Sequence, residues 1–351
     1  MQYRKLGTTD LSVSIICLGS MNWGEQNTEK EAHEQLDYAI SQGINFIDTA
    51  EIYPIPPNKE SQGLTETYIG TWLKKRGKRD DVIIASKVVG RDAGLSYIRD
   101  GETPCFDRKN IRTAIEGSLR RLQTDYIDLY QLHWPDRNTN YFGKRGYKHN
   151  SQDTSVPIEE TLEALQELIQ EEKIRHIGVS NETAWGIMQY LRLSEEKKLP
   201  RIQSIQNAYS LIMREYETAL AEMSIRENIS LLAYSPLSMG VLSGKYLHGN
   251  FPPGSRYTYK NYYQRNGPRY NPHHAQPAIE AYVTIAKKHG LDPAQMALSF
   301  VNSREFVTST IIGATSLKQL KTDIESIDSK LSDEILNEIE TIHKEHPNPI
   351  T

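Results

Sequence analysis

Four side chains stand where apolar runs end, and their types could move a proton. The run Ile44–Ala50 carries the carboxylate of Asp48, and the phenol of Tyr53 follows shortly after it. Val82–Val89 carries the ammonium of Lys87, and Tyr126–His133 ends on an imidazole. A carboxylate on a buried strand must be paired or solvated, because an isolated buried charge is very costly; Lys87 is the best candidate partner. A free tyrosine ionises near ~10 and is a weak acid at neutral pH unless a neighbouring cation stabilises the phenolate. Lowering that value by ~2–3 units takes roughly 3–4 kcal/mol, within reach of a partly buried Lys⁺ at hydrogen-bonding distance. The expectation is an acid–base group centred on Tyr53 with its pKa pulled down. Taken singly, each residue has a plainer reading, as a surface tyrosine or a structural ion pair; their joint placement at strand ends favours a site. His133 does not point to a metal, since no second histidine or acidic group lies at ligand spacing, and His273-His274 are adjacent in a proline-rich loop.

The elements that would position these groups alternate along the chain. Strand-like runs at Ser14–Ser20, Ile44–Ala50, Val82–Val89, Tyr126–His133, Ile174–Ser180, Ile202–Tyr209, Ile229–Pro236 and Thr310–Ala314 are each followed by helical spacing, as with Ile111, Ile115, Leu119 and Leu122. Such a series argues for an α/β fold, a (β/α)8 TIM barrel rather than a doubly wound sheet. Met1–Ser14 reads as an N-terminal β-hairpin and 332–345 as an extra C-terminal helix. No linker divides the chain, so one domain over 1–351 is expected. Three loops after strands are long: Pro54–Gln62, Asp136–Val156 and Ser238–Gln276. Two of them carry aromatic and basic side chains (Tyr141, Phe142, Arg145, Tyr147; Tyr257, Tyr259, Tyr262, Tyr263, Arg265), which suits covers for substrate and cofactor. Trp72, on a helix, belongs to the core.

DTAEIY at 48–53, ASKV at 85–88, LYQLHWP at 129–135 and IGVSN at 177–181 occur in order at successive strand ends. Together they resemble the aldo-keto reductase superfamily, over Tyr3 to Ile327. Within it the chain looks most like the bacterial Tas-type reductases and their relatives, the potassium-channel β-subunits. The resemblance implies NADPH-dependent reduction of aldehydes or ketones, with Tyr53 as general acid, Lys87 and Asp48 supporting it, and His133 orienting the carbonyl. It also implies an extended NADP(H) held across the strand ends. Ser180, Asn181 and Gln206 would bond the carboxamide, and Tyr234 would stack on the nicotinamide. Ser235, Pro236, Leu237, Gly240, Leu242, Gly244 and Lys245 would wrap the pyrophosphate, and Gly313, Thr315, Gln319 and Asp323 would hold the adenosine end. Lys245 and Arg256 would meet the 2′-phosphate. At Thr322-Asp323 the chain departs from the Glu-Asn pair of the channel β-subunits. Trp23 and Trp134, with Tyr53 and His133, are expected to line the substrate pocket. No Rossmann glycine fingerprint follows an early strand, and GVLSGK at 240–245 is one residue short of a Walker loop and lacks its Ser or Thr.

The 41 basic and 45 acidic residues leave a net charge of −4, with no like-charge run of the kind that binds nucleic acid or a membrane surface. Two cysteines, Cys17 and Cys105, do not make a disulfide framework. The N-terminus lacks a signal-peptide core, so a cytoplasmic location is expected. A small carbonyl compound is the expected partner, with an oligomer left open. Two other readings stay in play: a cofactor-binding regulatory subunit with slow residual reductase activity, and a lyase or isomerase using Lys87 as a Schiff base.

Overall fold

The apolar runs become the staves of a closed barrel. In the computed structural model, which describes residues 1–259 and 272–349, a hairpin of β1 (Tyr3–Lys5) and β2 (Ser12–Ser14) precedes eight parallel strands. These are β3 (Ile16–Gly19), β4 (Phe46–Asp48), β5 (Ile83–Val88), β6 (Ile127–Leu132), β7 (Ile174–Ser180), β8 (Ile202–Ala208), β9 (Ser230–Tyr234) and β10 (Val307–Ile312). Each pairs with the next, and β10 closes onto β3. The expected (β/α)8 barrel is therefore the observed fold. Tyr262, Tyr263 and Arg265, assigned above to a covering loop, lie outside the described residues.

Successive side chains on a strand point to opposite faces. Cys17, Phe46, Ala85, Leu129, Leu232 and Ile311 pack together inside the barrel, and Leu6 and Val13 of the hairpin segment join them. Two residues further along each of these strands come Gly19, Asp48, Lys87, Gln131, Tyr234 and Gly313. One end of the interior is thus apolar and the other, at the C-terminal ends of the strands, polar. Barrel enzymes place their chemistry at that second end.

Helices α1 (Glu29–Ser41), α2 (Leu64–Arg76), α3 (Arg108–Leu122), α4 (Ile158–Gln170), α5 (Ala184–Lys197), α6 (Tyr216–Arg226), α7 (Pro272–Lys288), α8 (Pro293–Asn302) and α9 (Leu317–Glu325) accompany the barrel, and α10 (Asp333–Glu345) packs against α7. Their starts are written locally. Thr28 and Glu31 form a reciprocal capping box at α1, and Asp107, Ser316 and Ser332 cap α3, α9 and α10. At Gly70 a Cβ would lie 2.1 Å from the Arg121 carbonyl oxygen, so only glycine lets α2 and α3 approach this closely. Trp72 is in the core as expected, its indole donating to Asp37 Oδ1 at 2.7 Å.

Two local expectations shift. Helix α7 begins at Pro272, inside the expected Ser238–Gln276 loop. The three long loops are also joined by a further one at 89–107, containing a 3₁₀ segment at Ala93–Arg99. It brings Leu95, Tyr97 and Ile98 against Ala50, Ile52, Tyr53, Val89 and Trp134 at the polar end of the barrel. Among the described residues no helix is long and apolar enough to cross a membrane.

Candidate active site

Neighbouring strands β4 and β5 deliver a buried ion pair. Lys87 is wholly buried and Asp48 is 2% exposed. Lys87 Nζ donates to Asp48 Oδ2 at 2.6 Å, to the Thr49 carbonyl at 2.8 Å and to Tyr53 Oη at 3.4 Å. An ammonium has three hydrogens, and all three are engaged. Because the phenol oxygen accepts from Lys87, its own hydrogen is directed elsewhere. His133 follows β6 and packs edge-on to Tyr53, ring centroids 5.7 Å apart. The four residues read from the strand ends are therefore neighbours.

The electrostatics differ from the expectation at one point. Burial alone would lower the Lys87 pKa, but Asp48 and Tyr53 outweigh it and the value is raised. The Tyr53 pKa is raised too, not pulled down: burial pushes it up, Lys87 opposes, and Asp48 adds to the rise. The reason is enclosure by Ile52, Val89, Leu95 and Trp134, half of it from the unexpected 89–107 loop and its neighbours. Desolvation disfavours the phenolate more than one paired ammonium favours it. His133 goes the other way, held well below the ordinary histidine value by burial and then by Lys87, so its ring is neutral at pH 7. Its Nδ1 is buried and has no hydrogen-bond partner among the described residues.

The residues expected around a carboxamide also converge. Ser180 Oγ donates to the Gln206 carbonyl at 2.7 Å, Asn181 Nδ2 donates to Ser180 Oγ at 3.0 Å and to the His133 carbonyl at 2.9 Å, and Tyr234 Oη donates to Asn181 Oδ1 at 2.6 Å. Gln206 Nε2 turns instead to Asp48 Oδ1 at 2.8 Å. After β9 the backbone coils tightly, with positive φ at Ser235, Ser238, Met239, Gly240 and Gly244. Within this coil the N–H groups of Ser238, Gly240, Leu242 and Gly244 donate to the carbonyls of Ser235, Leu237 and Val241, which holds the turns closed. Pro236 is buried and Leu237 half-buried, and Leu242 packs into the main core. A Cβ on Gly240 would meet Lys245 Nζ at 2.8 Å.

At the far end, Gly313 is exposed just beyond β10, and Gln319 Oε1 accepts from the Thr315 N–H and hydroxyl, both at 3.0 Å. Asp323 is buried on α9, its carboxyl pushed up to about 7 by burial and then by Asp292, with Lys245 opposing. Burial lowers the Lys245 pKa, Asp323 raises it and Arg256 lowers it. Arg256 reaches across the mouth, its Nη1 donating to Asn22 Oδ1 at 2.9 Å and its Nη2 lying 3.5 Å from Met21 Sδ.

Trp134 lies beside the catalytic candidates, 4.9 Å from the His133 ring, and Phe142 packs on its other side at 5.8 Å. Trp23 is a correction. It is wholly buried in the main core, with its indole 3.3 Å from Gln35 Oε1 on α1, and does not line the mouth. A turn at Met21–Asn27 tucks it inward, which its position after a strand did not reveal.

Two groups escaped the sequence reading. Glu51, within DTAEIY, is 1% exposed and binds Arg99 through two bonds of 2.8 and 3.0 Å while accepting the Val89 N–H at 2.8 Å, tying the 89–107 loop to the loop that carries Tyr53. Gln131, fully buried on β6, lies 3.3 Å from Asp48 Oδ1. Its signal was available, because it stands two residues before His133 and so shares that residue's face.

Comparison with known proteins adds to this geometry. A family model described as "Aldo/keto reductase family" matches residues 15–344. The chain is 53% identical to the protein tas of Escherichia coli (strain K12) over 353 residues, covering 99% of each. It is 33% identical to the "Uncharacterized oxidoreductase YrpG" of Bacillus subtilis (strain 168), over 97% of this chain and 96% of that one. It is 29% identical to a "Probable voltage-gated potassium channel subunit beta" of Oryza sativa subsp. japonica, over 99% of this chain and 98% of the relative.

Proposed function

The chain belongs to the aldo/keto reductase family of oxidoreductases, and within it we propose an NADPH-dependent reductase of aldehydes and ketones. The observation that carries the proposal is the hydrogen bond from Lys87 Nζ to Tyr53 Oη beside the Asp48 ion pair. NADPH, when bound, supplies the hydride. Tyr53 then donates its proton to the carbonyl oxygen, and Lys87 stabilises the phenolate left behind. Asp48 keeps Lys87 charged and in place. His133, being neutral, offers the same oxygen a hydrogen bond without competing as the acid. In alcohol oxidation Tyr53 serves as the base.

The chain's own groups fit such a dinucleotide. Ser180, Asn181, Gln206 and Tyr234 are clustered at the strand ends, the coiled backbone of 235–244 is the stretch expected to wrap a pyrophosphate, and Lys245 and Arg256 supply positive charge for a 2′-phosphate. Trp134 and Phe142 favour small carbonyl compounds with an apolar substituent. A Schiff base at Lys87 is opposed by its buried, fully engaged ammonium, since the nucleophile must be a neutral amine.

Absorbance loss of NADPH with a panel of aldehydes and ketones tests the reading. Turnover that vanishes in Tyr53→Phe supports it. The likeness to proteins named as channel β-subunits favours a second reading, a cofactor-binding interaction subunit. Tight NADPH binding with no carbonyl turned over faster than the buffer blank would select that one.

A further inference from the structure

Asp48 has two carboxylate oxygens, and only Oδ2 meets Lys87. Oδ1 faces two neutral amides: Gln206 Nε2 donates to it at 2.8 Å and Gln131 Nε2 at 3.3 Å. The amides also touch, with Gln206 Nε2 lying 3.2 Å from Gln131 Oε1. Asp48, Gln131 and Gln206 sit on β4, β6 and β8, alternate strands, which is how a barrel builds one layer of its interior. Gln131 is 0% exposed and Gln206 3%. Buried polar groups are partnered, and a network of this kind is stable only when every member is satisfied.

Resting on the reading of this site as a carbonyl reductase, we propose that Gln131 is a positioning residue: it holds Asp48 Oδ1 so that Oδ2 stays on Lys87, most of all when Gln206 serves the cofactor. The Gln206 amide has two hydrogens, and both are spent, one on Asp48 and one on Gln131. If Gln206 gives one to a carboxamide, Gln131 is the amide left to hold the carboxylate. With neither, Oδ1 is a buried acceptor without a donor and the carboxylate is free to turn. Lys87 then follows it, and the bond to Tyr53, already 3.4 Å long, is the first to be lost.

Two variants test this in the full chain. Gln131→Met keeps the length and removes both polar atoms. Its kcat is expected to fall about tenfold or more, the worth of a hydrogen bond to a charged group, while NADPH affinity by fluorescence titration stays within about threefold. Gln131→Glu can donate to Asp48 only when protonated. Its activity relative to Gln131→Met is expected to be higher near about pH 5 and lower near about pH 8, where two carboxylates face one ammonium. The melting temperatures of the two variants should diverge with pH in the same sense, a readout that needs no turnover. Wild-type kcat in Gln131→Met overturns the proposal, as does an equal, pH-independent loss in both variants, which is what packing alone would produce. Should the wild-type protein reduce no carbonyl at all, the functional reading fails separately, and a melting difference that ignores pH would then overturn the Gln131–Asp48 contact itself.

Discussion

Lys87 donates to the Tyr53 oxygen, 3.4 Å away, and not the reverse. The phenol hydrogen is therefore not spent on Lys87 and can be directed toward a substrate. Tyr53→Phe removes that proton and little else, since the ring stays in its apolar surround. Turnover should fall by roughly 10²–10⁴, the range for a positioned general acid. NADPH affinity should change little. Stopped-flow turnover beside a fluorescence titration checks both, and surviving turnover would remove Tyr53 from the mechanism.

The Asp48–Lys87 pair is buried on both sides, so breaking it strands a charge. Asp48→Ala is expected to destabilise the fold by about 3–5 kcal/mol in urea unfolding. Replacing both partners by apolar groups, Asp48→Ala with Lys87→Met, should recover part of that loss while leaving no activity. A double variant as unstable as the sum of the singles would mean that the pair is not coupled.

The pH dependence follows from two opposite shifts. Reduction needs Tyr53 protonated, and its pKa is raised from the ordinary ~10, so the reduction rate should stay level through neutrality and decline only above that value. Oxidation needs the phenolate, so its rate should climb with pH over the same range. His133, held well below the ordinary ~6.5, is neutral throughout and should add no step there. Rate profiles from about pH 5 to 11 with wild type and His133→Gln are the check. A step near 6.5 that disappears with the histidine would contradict the assignment.

The barrel and the four clustered residues were legible because strand ends are written in single letters: an apolar run that closes on a polar residue. The same parity rule places Gln131 beside Asp48, yet a glutamine in LYQLH looks unremarkable until its neighbour's second oxygen is seen to need a donor. The direction of the Tyr53 shift was not legible, since it depends on how far Leu95 and Trp134 enclose the phenol. Enclosure is a property of loops, which carry no period. Trp23 failed for the same reason: its inward turn is set by hydrogen bonds around Asn22 rather than by any pattern in the sequence.

Arg256 has two possible employers. Its Nη1 holds Asn22 Oδ1 at 2.9 Å, and its charge bears on both Lys245 and Tyr53. If it serves a 2′-phosphate, Arg256→Ala should weaken NADPH binding by ~1.5–3 kcal/mol, as for a charged hydrogen bond, and leave NADH almost untouched. Equal losses for the two cofactors in parallel titrations would assign it to holding the Asn22 turn instead.

The two tryptophans offered for the substrate pocket should separate cleanly. Trp23 is wholly enclosed in the main core, so Trp23→Ala opens a large cavity and should cost about 3–5 kcal/mol of stability. Whatever enzyme remains folded should keep its substrate preference, because no atom of the indole reaches the mouth. Trp134 packs between the His133 and Phe142 rings, so its loss removes part of the wall beside the imidazole. Trp134→Ala should therefore raise KM for bulky carbonyl compounds about tenfold, the worth of a partly lost apolar contact, with a smaller effect on the smallest aldehydes. Urea unfolding and a substrate series on both variants would distinguish a core residue from a lining one; a substrate shift in Trp23→Ala as large as that in Trp134→Ala would return Trp23 to the pocket.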